Sequence, residues 1–218
     1  MNTKELINVL ILSDLQLPVG GFVYSWGLES YIYSGFEIGS VIQVIKAYIE
    51  EGPLESELYA CKAAYSSFGK DGEIAKINQI FSAMKYLPAS HNMSIKLGKN
   101  LLRFAHFTLK IPIPDEPKHI HYPIAFGYVG RFLEIDLKTL LTTYAHTSVK
   151  ALMNALLRCY PFSVYDAWAF TIDMSNQIES VVKKSLNLKS WTKIYINTLL
   201  WDLYIHKHKF HETRLFEG

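Results

Sequence analysis

Four features of this sequence have residue types and spacings that can do chemistry at a metal or at a protein surface. The first is His206, His208 and His211, the only histidine cluster, and imidazoles are frequent ligands of first-row transition metals. Only His208 and His211 fall one helical turn apart, and Lys207 and Lys209 are interleaved where they would repel a cation, so no metal is assigned. The second is Gly20-Gly21 after Pro18: both glycines can take positive φ, and they leave bare backbone for another chain to use. The same residues fit a tight turn between two helices. The third is Arg214-Leu215-Phe216, past the last expected helix. Leu and Phe can anchor in a partner's groove while Arg forks onto a carboxylate, or the apolar pair can fold back on the chain's own core. The fourth is Glu29, after Gly27-Leu28, which can face a partner, cap a cationic group, or form a local ion pair on a solvated face.

Catalytic signatures are absent. The sequence has no GxxxxGK[ST] phosphate loop, no GxSxG elbow and no HExxH zinc pair, so catalytic residues are set to none. A helical enzyme on a hydrophobic substrate, with the glycine turn as an anion site at a helix start, is the competing reading. It lacks the Asp-rich metal motifs such enzymes use on diphosphates. Charged residues are 19% and nearly cancel to +2, which predicts neither nucleic-acid nor membrane binding. Cys61 and Cys159 stand far apart with no CxxC, as expected of buried thiols in a reducing cytoplasm. The run Leu6 to Leu12 is interrupted at Ser13-Asp14 without a small-residue cleavage pattern, so no signal peptide is expected. No stretch reaches the ~18 apolar residues of a membrane span.

The elements that must hold these residues are helices. With 218 residues, half of them hydrophobic, one large core is expected. Glycines and prolines punctuate segments of helical apolar period, which predicts an all-α, compact, single-domain bundle (1–218) of roughly eight to ten helices. Val41, Ile45, Tyr48 and Ile49 make one face of a helix over 40–51, with Ser40 and Gln43 at capping-box spacing. Gly52 is expected to stop it in a left-handed conformation, and Pro53 to open the next helix with Leu54, Leu58, Cys61, Ala64, Tyr65 and Phe68 on its face. Further helices are expected over about 72–86, 90–111, 123–134, 136–159, 163–186 and 190–207, with Asp136, Ser163 and Ser190 as N-caps. Residues 111–123, IPIPDEPKHIHYP, are too proline-dense for a helix and form the one connection. Most of the aromatic 14% is expected in the core.

The order of residue types from Leu12 to Glu29, LSDLQLPVGGFVYSWGLE, resembles the N-terminal signature of the UreF family of urease accessory proteins. Ser94, Gly98, Leu101, Leu102 and Arg103 resemble that family's SxxxGxxLLR helix, and His121 to Gly127 its HYPxAFG segment. The ending HETRLFEG is similar to HExxxxRLFxS, with shortened spacing and with Gly218 where a small polar residue is usual. The resemblance implies an all-helical, usually dimeric scaffold that binds a UreD/UreH-type accessory protein and a UreG-type GTPase. That assembly acts on apo-urease so that nickel enters as GTP is hydrolysed. Nickel and GTP are then handled by the complex, with no cofactor on this chain itself. It also implies partner-binding roles for Gly20, Gly21, Tyr24, Ser25, Glu29, Arg103, His121, Tyr122, Arg214, Leu215 and Phe216, the last three in a tail at 208–218. His121 beside Tyr122 is expected to orient the proline connection through hydrogen bonds.

Overall fold

The computed structural model describes residues 2–113, 119–194 and 199–217. Its helices are α1 (Thr3–Leu12), α2 (Leu28–Tyr33), α3 (Ile38–Glu50), α4 (Pro53–Ser66), α5 (Asp71–Ala83), α6 (Pro88–Leu109), α7 (Tyr122–Phe132), α8 (Leu137–Cys159), α9 (Val164–Asp173), α10 (Ser175–Asn187) and α11 (Leu199–Lys207). Short 3-10 turns occupy Gly21–Val23, Trp191–Lys193 and His208–Phe210. The fold is all-α, as the apolar period predicts. None of the described helices is long and apolar enough to cross a membrane.

The bundle is organised around α4. Pro53 opens it, where a missing N–H costs nothing, and every residue from Pro53 to Cys61 is buried. An amphipathic surface helix buries only a stripe, so this part of α4 is enclosed on all sides and its two acids must be answered by other side chains. Glu57 accepts from the Tyr48 hydroxyl at 2.8 Å and the Tyr144 hydroxyl at 3.2 Å, with the buried Lys85 ammonium 3.5 Å away. Burial and this carboxylate push both phenols well above their ordinary range. Glu55 takes Lys184 of α10 at 2.6 Å. Lys62, further along α4, donates to the carbonyls of Ser185, Leu186 and Leu188 at 3.2, 2.6 and 2.7 Å, and so caps the end of α10.

Two glycines set how closely the layers approach. A Cβ on Gly127 of α7 would stand 2.1 Å from the Cys61 carbonyl oxygen of α4. A Cβ on Gly98 of α6 would stand 2.0 Å from the Ile120 carbonyl oxygen, in the segment leading into α7. The Tyr122 N–H bonds to Ser94 Oγ at 3.3 Å beside that crossing.

The Val41, Ile45, Tyr48, Ile49 face is buried, and Asp136 and Ser163 cap α8 and α9 through the N–H groups of Thr139 and Asp166. Several expectations fail. Ser40 is not a cap, because α3 begins two residues earlier at Ile38 with Glu37 at the N-cap. Gly52 is not left-handed: at φ −105° it is extended, and what requires glycine is the Ala47 carbonyl oxygen 2.8 Å from where a Cβ would sit. The helix expected over 163–186 is two, because the chain turns at Met174 and a new helix starts at Ser175. Ser190 caps only the turn Trp191–Lys193, and α11 begins at Leu199. Part of the expected helix at 190–207, residues 195–198, lies outside the described residues, as do 114–118 of the proline connection and Gly218.

Gly98→Ala and Gly127→Ala each force a methyl onto backbone and are expected to destabilise the chain by about 3 kcal/mol. Gly39→Ala, in α3 with nothing within 4 Å of the added carbon, is expected to raise stability by up to ~1 kcal/mol. Thermal unfolding of the three variants checks this. Equal melting points for all three would remove the close-approach argument.

Candidate functional site

The segment that follows α1 is folded by a few backbone constraints. Gly20 sits at φ +94° and opens the 3-10 turn Gly21–Val23. Gly21, which could take the same left-handed geometry, does not adopt it. The second reversal comes instead at Trp26 (φ +55°) and Gly27 (φ +84°), just before α2. A Cβ on Gly27 would meet the Ile205 nitrogen at 3.0 Å, so the start of α2 abuts α11. Positive φ at a tryptophan stores strain of order 1–3 kcal/mol and persists only where surrounding contacts impose it.

Those contacts come from the other end of the chain. Glu29, fully buried on α2, bonds through Oε2 to His208 Nε2, itself buried, and accepts the Leu215 N–H on Oε1 at 2.7 Å. His211 Nε2 pairs with Ser30 Oγ at 3.0 Å and its ring lies edge-on to Tyr33. The Glu217 N–H donates to the Val23 carbonyl at 2.7 Å, giving a one-residue parallel bridge between Tyr24 and Glu217. The Arg158 guanidinium of α8 lies 4.1 Å over the Phe216 ring and 5.0 Å over Phe22. It also donates to the carbonyls of Phe22 and Leu215 at 3.5 and 3.2 Å. Lys96 of α6 bonds Glu217 at 2.5 Å and stands over the Tyr24 ring. That hydrogen bond holds the Glu217 carboxyl below, and the Lys96 ammonium above, their ordinary values.

Glu29 is therefore neither solvated nor facing outward: it is the internal cap that fastens the tail. The tail itself divides. Phe216 folds back and is 7% exposed, while Leu215 remains 51% exposed and Arg214 lies at the surface. Tyr24 and Ser25 are also buried. Beside them runs a groove of about 620 Å³, lined by Leu17, Pro18, Gly20, Phe22, Tyr24 and Lys96 among others.

The remaining sequence-derived residues stand elsewhere. His121 is enclosed, its Nε2 2.8 Å from Ser82 Oγ and its N–H on Asn78 Oδ1 at 3.0 Å, while Asn78 Nδ2 donates to the His119 carbonyl. It therefore anchors the end of the proline connection to α5. Tyr122 is half-buried beside it. Arg103 is exposed on α6, one and two turns beyond Asn100 and Lys96 on the same helical face. Lys96, Asn100 and Arg158 are the functional candidates that sequence reasoning missed. The spacing of Lys96 and Asn100 to Arg103 could have found the first two, whereas Arg158 carried no local signal.

Among the described residues no three His, Cys, Asp or Glu side chains converge on a point where one ion could be held. Cys159, close enough to feel the Glu29 charge, has its thiol pushed up to about 12, chiefly by burial, so it stays protonated at neutral pH and is a poor ligand.

With this geometry in hand, comparison with known proteins is informative. The family model named UreF matches residues 38–175. A protein named urease accessory protein UreF from Geobacillus kaustophilus is 24% identical over 174 residues, 76% of this chain and 77% of its own. One of the same name from Actinobacillus pleuropneumoniae serotype 3 is 26% identical over 225 residues, covering 95% and 96%. The first match lies between the two chain ends that build the groove, and the last spans nearly everything.

Glu29→Ala leaves a buried histidine and a buried N–H without their acceptor. It is expected to cost about 3–5 kcal/mol and to free the tail. Hydrogen exchange tests this: the Leu215 amide should lose protection well beyond the loss in α3, and an amide as protected as in the parent chain would refute the clamp. His121 gives a pH signature. Burial, with His91 and Lys85 adding repulsion, holds its imidazole down to about 3, against ~6.5 when unfolded. The unfolded chain binds the extra proton, so this contribution is complete above about pH 6.5 and is lost as pH falls from there toward 3. His121→Gln is expected to flatten the fall in melting temperature between pH 6.5 and 4. Parallel curves for the two proteins would count against it.

Proposed function

Because this chain belongs to the UreF family, we propose that it is a non-catalytic scaffold for urease maturation, acting in the cytoplasm. In this reading it works as a homodimer within a complex with a UreD/UreH-type accessory protein and a UreG-type GTPase. The complex delivers nickel to apo-urease as the GTPase turns over. Nickel is cargo of the assembly, and this chain's work is to hold its partners in place.

The observation that carries the proposal is the closure of the two chain ends on one another through Glu29. It puts the exposed Arg214 and Leu215 beside the exposed Phe22 and the groove at Gly20, on a surface whose backbone is already fixed. Preordered surfaces bind with less entropic cost than mobile tails, and arginine is among the residues enriched at interface hot spots. We assign Arg214 and Leu215 to docking the UreD/UreH-type protein, and the Gly20 to Glu29 segment to control of the GTPase. Glu29, Tyr24, Ser25 and Phe216 act there by positioning, being buried, and Arg103 extends the α6 edge of the same surface.

Co-expression with the two partners followed by size-exclusion chromatography tests membership of the complex. Arg214→Ala with Leu215→Asp, both outside the buried cluster, is expected to weaken capture of the UreD/UreH-type protein about thirtyfold, ~2 kcal/mol, with the melting temperature unchanged. Undiminished capture by that double variant would sink the docking assignment.

A further inference from the structure

A second cavity, of about 350 Å³, opens between the start of α6 and the end of α11. It shares Tyr24 and Lys96 with the larger groove, so these two side chains stand between the two spaces. Asn92, Lys96, His206 and Lys209 supply polar groups to its lining, and Met93 and Ile205 form part of an apolar side. Among the described residues, none that lines it is an acid.

Three of these polar groups are left unused by the fold. In the same stretch of chain Lys207 bonds Ser34, His208 bonds Glu29 and His211 pairs with Ser30. His206, Lys209 and the Asn92 side chain, by contrast, have no hydrogen-bond or ion-pair partner among the described residues. What His206 and Lys209 touch is the Phe210 ring, edge-on to the imidazole and 4.8 Å from the ammonium. His206 Nδ1 is shut away from water, where a polar atom is nearly always paired. A half-turn of that unbonded ring leaves its outline unchanged and moves the nitrogen to the other edge. Lys96 already meets Glu217 and the Tyr24 ring, yet an ammonium has three N–H groups to give. The first turn of α6 also lines the cavity, at Pro88 and Ala89, and no side chain caps it, so the positive end of a 22-residue helix adds the same sign.

We propose that this cavity binds a small phosphomonoester, its phosphate among Lys96, Lys209, His206 and Asn92 and its organic body against Met93 and Ile205. A carboxylate brings a single charge and two oxygens, too few for two ammonium groups, an imidazole and an amide. A phosphomonoester brings nearly two charges and three strong acceptor oxygens at neutral pH, and lysine binds phosphate as a point charge. The volume lies at the lower end of the ~300–1,000 Å³ of small-molecule pockets. Bare phosphate would leave the apolar side unfilled. Glu217, bonded to Lys96, stands on the groove side of the shared wall and not in this cavity. The site does not depend on the partner assignments above, but its occupant touches Tyr24 and Lys96, which belong to the groove as well.

Calorimetric titration of the full chain at neutral pH and constant ionic strength is the test, with ribose 5-phosphate as the probe and ribose, inorganic phosphate and succinate beside it. The chain should bind one ester and no ribose, with inorganic phosphate and succinate about tenfold weaker or more. Lys209→Ala and Asn92→Asp, both at exposed positions, should each weaken the ester about tenfold. His206→Phe should do the same without lowering the melting temperature of the free chain. Lys183→Ala, the same loss of charge at an exposed position on α10, should leave the affinity unchanged. Absence of saturable binding by the ester overturns the inference, as does an affinity that Lys183→Ala lowers as much as Lys209→Ala. Succinate binding as tightly as the ester overturns the choice of phosphate. Inorganic phosphate doing so overturns the organic half of the ligand.

Discussion

A carboxylate taken out of water has to be met by donors within the protein, and at Glu29 that requirement decides how the chain ends. Its two donors lie 179 and 186 residues further along. To bring them in, α11 must cross the start of α2, His208 must turn inward and the backbone at Leu215 must run back along Val23 and Tyr24. Everything else at that corner follows. Gly27 must be glycine because Ile205 passes over it, Trp26 is held at positive φ, and Phe216 reaches the underside of Arg158. The centre of the bundle obeys the same rule at Glu57, which gathers the Tyr48 and Tyr144 hydroxyls and Lys85 around the enclosed first part of α4.

Local features of the fold were legible in the sequence because their causes are local. Helical period located the α3 and α4 faces, and a cap such as Asp136 needs only an N–H three residues on. What could not be read was whatever depends on a distant segment. Gly98 and Gly127 entered only as positions in motifs, yet each is required by a backbone that crosses it, and the identity of the crossing segment is not encoded nearby. The break at Met174 is similar. Residues 163–186 carry one uninterrupted apolar period, and the turn there sets α9 and α10 as separate helices against α8 rather than answering to any breaker residue.

At the candidate site the same distinction separates what was recognised from what was understood. The order of residue types around Gly20 and Glu29 identified the segment, while its chemistry left open whether Glu29 faced outward. Glu29 faces inward, since its donors come from the opposite terminus. The tail likewise had two open fates, and it takes both: Phe216 is internal and Leu215 is not. Of the two alternatives for Gly20-Gly21, the turn is real and needs only the first glycine. Lys96 and Arg158 went unseen because a lysine and an arginine on long helices look like solubilising charges until the groups they reach are known.

Arg158 also clarifies why the ends of the chain should be joined at all. One guanidinium donates to the carbonyl of Phe22 and to that of Leu215, and both side chains are about half exposed. Two apolar groups from opposite termini are thereby held against a single cation whose position is set by α8. Separately, each would be a lone hydrophobic residue on a loop, costly to order when bound. Fastened to one helix, both are held at the surface with an ordering cost that was met when the chain folded. The buried Glu29 makes that arrangement persist, because releasing either segment would leave a buried carboxyl group without donors that reach it only while both remain in place.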